Sequence, residues 1–288
     1  MFFFWPVLFT RSASIPFDLQ GWHYPQQAFA AHALREGSWP LWNPYAYGGM
    51  PFHGNAPAAL YYPLHLLVLL ASNLWTAVLP YWVLEASLAA HYWWFGVGTF
   101  ALARDLSIGR AGAVAAALIG MFGPCMASQA QHYNLVLGAA WVPWAFLLAR
   151  RTCHAPTGRL VPLLATVLAL HVLTGFPPAI ASFAVGLALF CTLQLGVCLW
   201  REPPGRAVTL AGRLVGAALA AVGLSAVQLV PLAEMAAGSI AAHRSWAGAA
   251  SPHHLWTLVA PDLYGASNPA VYWGGNFTQE YFFLPPLA

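Results

Sequence analysis

Runs of apolar residues long enough to cross a lipid bilayer recur along this chain, and they limit its fold more than any motif. A hydrocarbon core of about 30 Å needs roughly 20 residues of helix. Six such runs can be drawn, at about 74–103, 111–127, 134–150, 160–175, 178–200 and 208–230, with Leu64 to Ala71 a shorter stretch suited to the interface. Of 288 residues, 60% are hydrophobic and 7% charged, too little charge to cover a water-facing surface. The sequence therefore predicts an all-α, polytopic integral membrane protein with about six full transmembrane helices and partial ones at its ends. The opening MFFFWPVLFT is too short to span and lacks the charged start and cleavage site of a signal peptide. It reads as the outer end of one helix, and the closing EYFFLPPLA as the start of another, so the chain reads as a fragment of a longer protein.

Orientation follows from the basic residues, because positively charged loops stay in the cytoplasm. The chain has no lysine, and eight of its eleven arginines (Arg104, Arg110, Arg150, Arg151, Arg159, Arg201, Arg206 and Arg213) fall on one side of the drawn helices. Five of eight acids (Asp18, Glu36, Glu234, Asp262 and Glu280) fall on the other. A single membrane domain, 1–288, then divides into a first extracytoplasmic loop at 11–73, a bundle at 74–230, and an outer loop with the start of the next helix at 231–288. The working face is outside, on a multi-pass membrane protein. The formal charge of +3 is small and scattered, which excludes nucleic acid as a partner. Cys125, Cys153, Cys191 and Cys198 lack zinc or redox spacing and read as small core residues without a disulfide.

The polar, aromatic island at 17–63 is where chemistry is expected. Asp18 follows an apolar stretch, placing a carboxylate where the chain enters water. It is a candidate general base, and the same position also suits a helix cap or an arginine partner. Pro25 and Gly37 frame a surface helix over about Gln26 to Glu36, with Phe29, Leu34 and the alanines on one face and His32, Arg35 and Glu36 on the other. After it, Pro40, Pro44 and Pro51 stiffen the chain, and Gly48 and Gly49 permit tight turns. Trp39, Trp42, Tyr45 and Tyr47 fit either stacking on sugar faces or an interfacial aromatic belt. His132, in an outer turn, is open to reading as an acid, a metal ligand or a hydrogen-bonding loop residue. Glu85, inside the first span, should face the bundle interior and be neutral or partnered.

A wider pattern resembles a known family. It comprises Asp18, Tyr24-Pro25, Leu34-Arg35-x-Gly37, Pro40-Leu41-Trp42-Asn43-Pro44, Gly48-Gly49, Pro51, Asn55 and Tyr62-Pro63. A second stretch adds Gln228, Pro231, Glu234, Ser239, Arg244, Ser251-Pro252, Pro261-Asp262-Leu263-Tyr264-Gly265 and Tyr272-Trp273-Gly274-x-Asn276-Phe277. The combination resembles the bacterial YfhO-like membrane proteins, within the GT-C glycosyltransferases. The chain departs from the family at Gly175-Phe176-Pro177-Pro178, where Gly-His-Pro-Gln is expected.

The resemblance implies a GT-C-like fold with interfacial helices in the first loop. It implies a hexosyltransferase that moves a sugar from a polyprenyl-phosphate donor to a cell-envelope glycan, teichoic acid or lipid acceptor on the extracytoplasmic face. Asp18 is then the catalytic base. Substrate contacts fall to Tyr24, Arg35, Trp42, Asn43, Asn55, His132, Glu234, His243, Arg244 and Asp262, with Arg244 or Arg35 forking onto the leaving phosphate. Arg244 suits an ion pair with Glu234 equally well. Some members of the group use a divalent cation (Mg or Mn), although no ligand spacing here demands one. Asp18, Glu234 and Arg244 are expected to face one outer cavity. Two other readings stand beside this one: a lipid or glycan transporter (flippase), and a non-catalytic scaffold for envelope assembly.

Overall fold

Proline writes the starts of most helices in this chain. It is tolerated in a first helical turn, where its missing N–H has no intrahelical partner to lose. The computed structural model describes residues 4–123, 126–127, 129–154 and 158–239, and it is mostly helical. After a short helix α1 (Trp5–Leu8), a π-helical turn (Leu19–His23) runs directly into α2 (Tyr24–Arg35), which carries Pro25 in its first turn. Gly37, at φ +71°, closes α2 as the left-handed residue of a Schellman cap, with Ser38 N–H donating to Ala33 O at 3.0 Å and Gly37 N–H to Leu34 O at 3.2 Å. The surface helix thus begins two residues earlier than expected. Its buried face is made of alanines and two glutamines, Gln26 and Gln27, while His32, Arg35 and Glu36 are exposed as expected.

Two short strands, β1 (Trp42–Asn43) and β2 (Met50–Pro51), pair antiparallel with Trp42 opposite Pro51 and Asn43 opposite Met50. Then come α3 (Pro63–Ser72), α4 (Tyr81–Asp105), α5 (Arg110–Phe122), α6 (Tyr133–Ala139), α7 (Val142–His154), α8 (Val161–Leu173), α9 (Pro177–Arg201) and α10 (Pro204–Ala237). Helix α4 packs along α5 and α7, and α8 packs along α10.

Among the described residues two helices are long and apolar enough to cross a membrane, α9 and α10. No residue of α9 is buried, and Val185, Leu189, Leu193 and Trp200 stand exposed along it. An apolar surface of that extent suits lipid contact. The other expected runs are reshaped. The first begins at Tyr81, not 74, and α5 ends at Phe122. The run at 134–150 is broken into α6 and α7, because Pro143 has no N–H to give to Ala139. The last run extends to 204–237 with Pro231 inside it. Cys153, Cys191 and Cys198 are free and half-buried, not core, because Cys191 and Cys198 ride on the outer helix α9 and Cys153 lies at the end of α7; Cys125 lies outside the described residues.

The two ends of the bundle differ in chemistry. At one, Asp105 accepts from Arg151 Nε at 2.8 Å and pairs with Arg150, tying α4 to α7. Burial would push the Asp105 carboxyl up, but the bonds and charges of Arg151 and Arg150 outweigh it and hold it below the usual carboxylate range. Arg206 reaches Glu202 at 3.8 Å on the same end. At the other end sits the island. A Cβ on Gly175 would fall 1.8 Å from Ala56 O, and one on Gly54 would fall 2.9 Å from Pro231 O, so the island lies directly on the α8–α9 turn and on α10. Asn134 Nδ2 donates to Gly175 O at 3.1 Å and adds α6 to the junction.

Candidate functional site

Asp18 is set in place by the backbone on either side of it. Upstream, Ile15 N–H donates to Glu85 Oε1 at 2.8 Å, and Tyr81 O–H donates to Ile15 O, so α4 grips both polar groups of one residue. Glu85 therefore has the partner expected of it, and that partner is a backbone amide. Next to Asp18, Phe17 holds a left-handed φ of +60°, which is strained for an aromatic residue and turns the chain sharply into the π turn. Asp18 is the N-cap residue of that turn but makes no side-chain cap bond. It forms no ion pair with arginine among the described residues. Its carboxylate Oδ2 instead lies 3.4 Å from His132 Nε2, both groups being partly exposed.

A third polar group completes this corner. His23, one π turn after Asp18, is buried, and its ring lies 5.9 Å from that of Tyr133. Burial lowers the His23 imidazole to about 4, against the pull of Asp18 and with a further push from His132, so the ring is neutral near pH 7. The Nδ1 atoms of His23 and His132 are both buried without a hydrogen-bond partner among the described residues. Orphaned polar atoms of this kind are costly and uncommon. Here two of them belong to rings beside one carboxylate.

Behind this corner the polar groups are saturated. Gln27 Nε2 donates to Ala58 O at 2.9 Å, which fixes the amide and leaves its oxygen to accept from His65 Nε2. Burial lowers His65 to about 3, so it is neutral, and its Nδ1 shares a hydrogen bond of 3.1 Å with the Tyr133 hydroxyl. The Tyr133 O–H donates to Ser87 Oγ at 3.0 Å. A parallel chain runs from Trp141 Nε1 to the Tyr62 hydroxyl at 2.8 Å, from Tyr62 to His91 Nε2 at 2.9 Å, and from His91 Nδ1 to Ser87 O at 2.7 Å. These buried rings bolt the island to α4, α6 and the loop before α7.

The remaining expected contacts are distributed around the island. The Tyr24 hydroxyl is committed to Leu79 O at 2.8 Å, and Arg35 Nη1 to Thr76 O at 2.5 Å, so both act as struts and Arg35 does not stand beside Asp18. Arg11 stacks over Trp82 at 4.9 Å. Histidines, not an arginine, stand next to the carboxylate. Trp42 lies across Gly49, where an added Cβ would meet its ring at 2.6 Å. Asn55 donates through Nδ2 to Gln26 Oε1 at 2.6 Å, and Asn43 Oδ1 accepts from Tyr45 N–H at 2.9 Å. Glu234 is exposed in the last turns of α10, and no bond joins it to Asp18 among the described residues. His243, Arg244 and Asp262 lie outside the described residues, and with them the expected meeting of Arg244, Glu234 and Asp18. Among the described residues no three His, Cys, Asp or Glu side chains form a cation site, so none of these residues is assigned to a metal.

Sequence reasoning missed His23, His65, Tyr62, Tyr133, Gln26 and Gln27. The available signal was polar side chains next to prolines at the mouths of apolar runs, as in Tyr62-Pro63-Leu64-His65. No protein-family model, curated protein or solved structure matches this chain.

Proposed function

We propose that the chain is a polytopic membrane glycosyltransferase of GT-C type, working on the outer face of the bacterial cytoplasmic membrane. In this reading α4, α5, the broken pair α6–α7, α8, α9 and α10 are its spans, and the arginine-bearing end lies in the cytoplasm. The observation that carries it is the corner at Asp18, a partly exposed carboxylate beside His132 and His23, each of which has a ring Nδ1 without a partner among the described residues. Asp18 takes the proton from an acceptor hydroxyl, whose oxygen forms the new bond to the anomeric carbon. The bond from that carbon to the polyprenyl phosphate breaks, and the phosphate leaves with the electron pair. In this reading the partly exposed His132 imidazole donates to a substrate oxygen, and a general base such as Asp18 is worth on the order of 100- to 10,000-fold in rate.

The test is transfer from a polyprenyl-phosphate sugar in membranes that carry the full chain. Asp18→Asn keeps the shape and removes the base; transfer is expected to fall by at least about 100-fold. Wild-type rates in that variant would remove Asp18 from the chemistry. Transport of a lipid or glycan is the second reading, favoured by the polar rings buried between the island and the helices. The network at Tyr62, His65, His91 and Tyr133 has all its ring nitrogens and hydroxyls in use, which supports a structural part for it and favours transfer. A scaffold role would leave envelope assembly intact in Asp18→Asn.

A further inference from the structure

A cleft of about 310 Å³ opens between the π turn, α2 and the hairpin, one turn along from Asp18. Trp22, Phe29, Tyr45 and Tyr47 supply its apolar walls, and Gln26 and Asn43 its polar ones. We propose that this cleft binds a neutral sugar ring, with the aromatic side chains against the ring face and the two amides on its hydroxyls. In the transferase reading, on which this placement rests, the bound sugar is the acceptor glycan.

The amides argue for a ligand. Gln26 and Asn43 are only 8% and 5% exposed, so both are more than nine-tenths buried. The Gln26 oxygen is occupied by Asn55 Nδ2, and the Asn43 oxygen by the Tyr45 amide. Each side chain therefore has its NH₂ left over, and neither NH₂ has a partner among the described residues. Both NH₂ groups are open to the cleft, where sugar hydroxyl oxygens can accept from them.

The walls argue for which ligand. Among the described residues no charged side chain lines the cleft, so a phosphate or carboxylate would arrive without a counter-charge. Sugar C–H bonds are weakly positive and suit the negative face of an aromatic ring. Tyr45 and Tyr47 are 83% and 78% exposed, yet Tyr45 is braced edge-on by Phe29 at 6.1 Å, and Trp22 stands 6.4 Å from Tyr47. Tyr47 holds a left-handed φ of +55° just before Gly48 and Gly49, a strained position that a hairpin needing only a turn would give to glycine. A lipid-facing belt needs aromatic rings but has no use for two unspent amide donors set among them, which is why the sugar is favoured over the membrane.

The experiment is saturation-transfer NMR on the detergent-solubilised full chain, with glucose, galactose, mannose, N-acetylglucosamine and maltose as probes and inorganic phosphate as competitor. At least one sugar is expected to bind, and phosphate is not expected to displace it. Tyr45→Ala, at an exposed position, and Gln26→Glu, which keeps the acceptor for Asn55 and removes the donor, should each weaken binding by about tenfold. Absence of transfer to every probe overturns the proposal. So does loss of binding to phosphatidylglycerol vesicles, instead of sugar, in Tyr45→Ala. The measurement needs neither donor nor turnover, so a chain that binds sugar but transfers none would refute the transferase and leave the cleft standing.

Discussion

Gly175→Ala should release the island from the bundle. Gly175 has φ +77°, which costs an L residue about 1–2 kcal/mol. The new methyl would sit 1.8 Å from Ala56 O, a backbone atom with no rotamer to escape into. Relief requires the turn and the 3₁₀ segment Ala56–Ala58 to part by more than an ångström, and that breaks the bond from Asn134 to Gly175 O. Asn134 is buried, so stranding its amide adds about 1–3 kcal/mol. The total is about 2–5 kcal/mol. Thermal unfolding in detergent reads the loss, and limited proteolysis between Trp39 and Gly54 reads the release. Gly186→Ala in α9, where an added methyl meets nothing within 4 Å, is the control and should match or slightly exceed wild type. If Gly175→Ala unfolds at the wild-type temperature and resists protease equally, the island does not rest on that turn and the docking described above is wrong.

Stability should also depend on pH through His23. Its folded value of about 4 lies below the ordinary 6.5, so the unfolded chain binds more protons between them. The contribution is complete above pH 6.5 and is lost as pH falls toward 4; at about 1.4 kcal/mol per tenfold it reaches about 3 kcal/mol. His65 adds a slope of the same sign. Denaturant midpoints at pH 7 and pH 5 test this: His23→Gln should flatten the difference, and an unchanged slope would refute the assignment. At Glu85, replacement by Gln preserves an acceptor for Ile15 N–H and should cost little, whereas Leu should cost about 1–3 kcal/mol and loosen the segment that holds Asp18. Equal losses in the two variants, measured by thermal unfolding, would exclude the clamp.

Local rules made part of this legible in advance. Pro25 and Gly37 bracket α2 to within two residues because first-turn proline and left-handed glycine act on the backbone beside them. The apolar runs that became α9 and α10 were legible for the same kind of reason, since hydropathy is summed along the chain. The partners of the site were not. Asp18 and His132 meet through packing between distant segments, and Glu85 spends its oxygen on a backbone amide, which has no sequence signature at all. A histidine looks alike in sequence whether both its nitrogens are filled, as in His65, or one is left over, as in His23; only the neighbours separate the two.

Helix α10 has a mechanical consequence. Its 34 residues measure roughly 51 Å along the axis, well beyond a hydrocarbon core of about 30 Å. Its first turns carry Arg206 and Arg213, the latter beside Gly158, and its last turns press on Gly54 under the island. One shaft thus has purchase at both ends of the molecule. A tilt of roughly 5° about its foot would carry the head about 4 Å, more than the length of a hydrogen bond. Whatever grips the arginine end of α10 also has leverage on the floor of the island.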